Sequence, residues 1–86
     1  MNLEDVKTGM KVCTHKVLGE TKGMFVKPKH LKARRPDSEG VVLDYIPGHG
    51  GDCWWVKHGD APDGSEIGAY CFDEFEPIQE GERNDE

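Results

Sequence analysis

Residues 40–75, GVVLDYIPGHGGDCWWVKHGDAPDGSEIGAYCFDEF, hold three runs of β-branched and aromatic residues separated by two glycine-rich breaks. No other feature constrains the fold as strongly. Runs of this kind, bounded by Gly, Pro and Asp, predict consecutive β-strands at 41–46, 53–58 and 67–72, joined by turns at 47–52 and 59–65. Gly48, Gly50 and Gly51 allow the positive φ that a tight hairpin needs. Successive strand residues face opposite ways, so Trp54 and Trp55 cannot share a face. Trp54, with Val56 and His58, is expected on the core side. Trp55, with Cys53 and Lys57, is expected on the other side and at least partly exposed. On the preceding strand, Val41, Leu43 and Tyr45 share one face and Val42, Asp44 and Ile46 the other.

The flanking residues supply the remaining elements. Residues 2–9 read as a short turn, with Leu3 and Val6 on one face closing one end of the fold. Residues 10–18 form the first strand. Residues 19–39 are irregular: 23–26 add a short strand stopped by Pro28, and 29–35 form one helical turn ended by Pro36. Residues 73–76 make a tight turn that folds Phe75 back onto the core, and 77–79 pair beside the first strand. Short strands without a long helix, in 86 residues, predict an all-β five-stranded barrel, because closing the sheet hides its edges. The expected domain spans 1–79. Residues 80–86, EGERNDE, lack any apolar side chain and are expected to be a disordered acidic tail.

The run GVVLDYI…WWVKHGD…IGAYCFDEFEPI, preceded by DVKTGMKV, resembles the small SH3-like barrels of the KOW and Tudor-like type over residues 5–78. It is also similar to short bacterial and phage proteins with a GHGGD-WWV-H core, a similarity that implies no activity. The resemblance implies an SH3-like barrel; the chain departs from a typical module of this type in its long basic insertion after strand 1, at the position of the RT loop.

Charge divides the chain sharply. The net charge is −6. Residues 1–20 sum to zero, 21–35 to +6 with no acid, and 36–86 to −12. A basic segment on an acidic body bears on partners rather than on fold. Three cysteines are an odd count that argues against a disulfide framework, and the thiols are expected free in a reducing compartment. There is no long apolar run and no apolar N-terminal stretch, so no membrane association and a cytoplasmic location are expected.

Several side-chain sets could carry chemistry. Cys13, His15, His49, Cys53 and Cys71, with His30 and His58, are zinc-ligand types, but no CxxC pair exists, and no metal or cofactor is expected. No spacing selects a Cys–His nucleophile pair, so the chain is not expected to be an enzyme. GHGG lacks the Lys-Ser/Thr ending and following helix of a phosphate loop. The basic segment offers Lys27, Lys29, Lys32, Arg34 and Arg35 to phosphates, with Phe25 and His30 interleaved for stacking. The opposing expectation is that this segment docks on the acidic body and relieves its self-repulsion. The surplus of aromatics favours a non-enzymatic module that binds a protein partner through Tyr45, His49, Trp55 and Tyr70. The alternatives are nucleic-acid binding by the basic loop, or an acidic inhibitor that mimics DNA. A monomer is expected.

Overall fold

The computed structural model describes residues 6–21 and 23–78. The chain runs β1 (Lys11–Thr14), α1 (Pro28–Lys32), β2 (Glu39–Tyr45), β3 (Cys53–Lys57), β4 (Ile67–Cys71), a 3₁₀ turn (Phe72–Glu74) and β5 (Phe75–Pro77). The five strands form one antiparallel sheet in the order β4-β3-β2-β1-β5. The fold is therefore all-β with little helix, and the sheet is open, with β4 and β5 at its edges. No helix among the described residues is long and apolar enough to cross a membrane.

Strand 1 is four residues long, shorter than the nine expected, because its second half leaves the sheet to start the basic segment. The expected strand at 23–26 does not form. Those residues pack instead by side-chain alternation: Met24 and Val26 face the sheet, while Phe25 between them is 84% exposed. The helical turn exists but spans Pro28–Lys32 instead of 29–35, so it stops before Pro36. Proline suits the first helical position, where its missing N–H has no intrahelical partner anyway. The last strand pairs beside the first, but it spans Phe75–Pro77 instead of 77–79, and the turn before it is Phe72–Glu74 instead of 73–76; Thr14 lies opposite Phe75 and Val12 opposite Pro77. Leu3, residue 79 and the expected tail at 80–86 lie outside the described residues.

The sheet buries apolar side chains on both faces. On the inner face Val6, Val12, Val42, Val56, Tyr70 and Phe75 form the main core, with Met10, Leu18, Trp54 and Phe72 packed against it. On the outer face Ile46, Cys53 and Ala69 form a second cluster, covered by Met24, Val26, Trp55 and Cys71. A register shift between Val42 and Asp44 separates the two. Strict alternation would put Val42 and Ile46 on one face. The bulge at Leu43 resets the parity, so Val42 pairs with Val56 on the inner face and Tyr45 joins Trp54 there, while Ile46 turns to the outer cluster. The face assignment expected for this strand is corrected accordingly. Gly68 makes room for the largest buried side chain: a Cβ there would lie 2.8 Å from the Tyr70 ring.

Candidate functional site

The outer cluster exists because the basic segment lies over it. Arg34 is the anchor. Its Nη1 donates to Ala69 O and to Glu74 Oε1, both at 2.8 Å, and its Nη2 donates to Glu74 Oε2 at 2.9 Å and Gly19 O at 2.7 Å. Both side chains are buried, with 6% and 8% exposure. Glu74 also accepts the Gly19 N–H at 2.7 Å and the Cys71 N–H at 2.9 Å. Burial works against the Glu74 carboxylate, but the Arg34 hydrogen bond and the two amide donors outweigh it and hold its pKa below the usual value. The 3₁₀ turn places Glu74 under the segment, and the sheet supplies the Ala69 carbonyl, so three parts of the chain meet at one guanidinium.

Neighbouring contacts extend this anchor. His30 of α1 donates from Nδ1 to Ile67 O at 2.7 Å, and its ring tilts against Trp55 at 4.6 Å between centroids. Lys29 Nζ donates to Asp63 O at 2.6 Å. Thr14 Oγ1 donates to Arg35 O at 2.5 Å and accepts the Ser38 N–H at 2.9 Å. Trp55 thus forms part of the floor beneath the segment, not an open surface. The expectation that the basic segment docks on the acidic body describes this geometry.

Tyr70 is fully buried, which removes it from any exposed aromatic surface. The register explains why: Tyr70 lies opposite Trp54 on the inner face. Its hydroxyl sits in a hydrogen-bonded chain. Glu39 O can only accept, so His58 Nδ1 donates to it at 2.7 Å. His58 Nε2 then accepts from the Tyr70 hydroxyl at 2.7 Å, and that oxygen accepts the Arg35 N–H at 2.7 Å. The bond from the Tyr70 hydroxyl to Nε2 requires neutral His58, because both ring nitrogens of the protonated imidazole are donors. Burial lowers the His58 pKa first, opposed by the Glu39 carbonyl bond and aided by Arg35. A base whose folded pKa lies below its unfolded value stabilises the fold above the unfolded value and loses that stability on acidification. Unfolding stability should therefore fall as pH drops below about 6.5 and through the lower folded value. Urea midpoints measured across that window, against His58→Gln, check this: the variant should show a shallower decline.

The remaining candidates flank the 47–52 turn. Tyr45, the last residue of β2, is 50% exposed and meets Trp54 edge-on at 6.1 Å. His49 Nδ1 donates to Pro47 O at 3.0 Å, which leaves Nε2 to accept the Phe25 N–H at 2.9 Å. The two rings lie 5.7 Å apart. Sequence reasoning had put Phe25 only among stacking residues of the basic loop. Its alternation with Met24 and Val26 is the signal that sets it outward. Of the five basic candidates, Arg34 is buried in its ion pair. Lys29 holds Asp63 O, and Arg35 reaches Glu66 at 3.4 Å. Lys27 and Lys32 are exposed.

The metal-ligand types are dispersed. Among the described residues no three His, Cys, Asp or Glu side chains converge to hold an ion. A cleft of about 370 Å³ carries Cys13 and His15 with Asp37 and Glu76. Burial and the Asp37, Glu39 and Glu76 carboxylates push the Cys13 thiol pKa up, opposite to what an activated nucleophile requires. A further cleft of about 230 Å³ is lined by residues that include Lys11, Glu39, Lys57 and His58. No family model, no curated protein and no solved structure matches this chain.

Proposed function

We propose that the chain is a non-enzymatic interaction module that binds a protein partner through Phe25 and Tyr45, with His49 positioning Phe25. We further propose that its sheet is the curled sheet of an SH3-like barrel. Four consecutive antiparallel strands, then a 3₁₀ turn, then a short strand returning to β1 support that kinship. One observation carries the functional reading: Phe25 is 84% exposed yet held in place. Its backbone is tied to His49, and its neighbours Met24 and Val26 are packed against the sheet. An exposed aromatic on a fixed backbone loses little entropy on binding and can act as an anchor. Tyr45 and Trp54 provide a second aromatic contact on the other side of the same turn.

Nucleic-acid binding ranks below this reading, because three of its five cations already serve intramolecular contacts. The DNA-mimicking alternative has no specific contact in its favour.

A photo-crosslinking residue placed at position 25 in the full chain, with position 17 as control, tests the proposal in native lysate. Val17 is equally exposed, so the control reports non-specific capture. The account expects a protein adduct from position 25 that survives nuclease. Phe25→Ala with Tyr45→Ala should weaken the captured complex by about 30-fold or more, at least what the loss of a single hot spot costs. The single Phe25→Ala change should move stability by no more than about 0.5 kcal/mol. Equal labelling from both positions, or adducts lost to nuclease, would refute it.

A further inference from the structure

Cys53 and Cys71 stand directly opposite each other on β3 and β4, with their Sγ atoms 3.9 Å apart. The ladder bonds show which kind of pair this is. The Phe72 N–H donates to Asp52 O at 2.8 Å, so the bond flanks the cysteine pair instead of joining it. The same holds at Lys57 and Ile67, where the flanking His58 N–H donates to Glu66 O at 2.8 Å. The cysteines therefore occupy a non-hydrogen-bonded site, where facing Cα atoms come to about 4.5 Å. Disulfides accept Cα separations of about 4.4–6.8 Å. Closing the sulfurs to about 2.05 Å is then a matter of side-chain rotation, with the strands already in place. Cys13 lies on β1, opposite Glu39 and Glu76, two strands away from β3 in the sheet.

We propose that Cys53 and Cys71 form a dithiol modification site that closes to an intramolecular disulfide when a peroxide reaches it. The Cys53 thiolate attacks a peroxide oxygen, and the O–O bond breaks to give a Cys53 sulfenic acid and hydroxide, which takes up the thiol proton as water. The Cys71 sulfur then attacks the sulfenic sulfur. The S–S bond forms, the S–O bond breaks, and the Cys71 proton leaves with the hydroxyl as a second water. The protein loses two hydrogens and two electrons, and the peroxide is reduced to two waters.

The order of attack follows from the local environment. Burial raises both thiols, but the Cys71 S–H stabilises the Cys53 thiolate. Burial, followed by the charge on Cys53, pushes Cys71 up to about 12. Scarce thiolate makes the closure slow at neutral pH and faster as pH rises. β4 is an edge strand whose ladder among the described residues is with β3, so the bond staples that edge of the sheet. The oxidised chain should unfold at a higher urea concentration than the reduced one, because the crosslink restricts the unfolded state.

The test treats the folded full chain with hydrogen peroxide and reads whole-protein mass and peptide maps. The expected result is a loss of about 2 Da, two hydrogens, located to a single Cys53–Cys71 link. Cys13→Ser should retain that loss, and Cys53→Ser and Cys71→Ser should each abolish it. Oxygen adducts or chain-to-chain dimers without the link, or a mixture of links that includes Cys13, would overturn the proposal. Circular dichroism of each variant shows that the strands remain, so a missing link cannot be ascribed to unfolding.

Discussion

Glu74→Ala is expected to bring the domain close to unfolding, with a loss of about 3–5 kcal/mol, the usual effect of removing one partner from a buried ion pair. A chain of 86 residues has a total stability of only about 4–13 kcal/mol. The size of the effect comes from what the carboxylate leaves behind. The Arg34 guanidinium stays buried with half of its hydrogen bonds gone, and the Gly19 and Cys71 amides lose their acceptor. An unpaired buried charge costs far more than the intact pair contributes over a well-packed apolar one. The urea midpoint should fall sharply, and Glu74→Gln, which keeps the shape and part of the hydrogen bonding, should fall less. Replacing Arg34 and Glu74 together by methionines should recover much of the loss. If the double variant were as unstable as Glu74→Ala, the uncompensated charge would not be the cause.

Trp55→Ala should destabilise the fold by about 2–3 kcal/mol. That is below the range for a fully buried tryptophan, because Trp55 retains some exposure. Its ring supports His30 and closes the outer cluster over Cys53, Ala69 and Ile46. The loss should appear as a lowered urea midpoint together with faster exchange of amides in the basic segment. A variant that kept full stability and lost only partner capture would put Trp55 on a binding surface, contrary to the packing described above.

The sheet was legible in the sequence because it rests on local signals. The Pro-Gly-His-Gly-Gly-Asp break fixes the 47–52 turn, the period-two pattern of 53–58 fixes β3, and Phe75 with Pro77 returns the chain to β1. The parity of Trp54 and Trp55 was legible for the same reason. Three features were not. The bulge at Leu43 has no glycine or proline to announce it, and one inserted residue reversed the expected faces beyond it. Tyr70 follows an alternating strand in which both faces are covered, so alternation alone could not say that it was buried. Arg34 looked like its basic neighbours; only tertiary placement of Glu74, forty residues away, separates it from Lys32. The charge division of the chain did carry the general outcome, a cationic segment seated on an anionic body, without naming the pair that holds it.

Native-state hydrogen exchange tests the docking of the basic segment most directly. Two amides report on it: Gly19, which donates to Glu74, and Arg35, which donates to the Tyr70 hydroxyl. If the segment is an integral part of the fold, both exchange as slowly as the Val42 and Val56 amides of the central strands, and Glu74→Ala releases Gly19 first. Exchange of Gly19 and Arg35 at the rate of an open loop, while the strand amides stay protected, would contradict the account and return the segment to the role of a free basic arm.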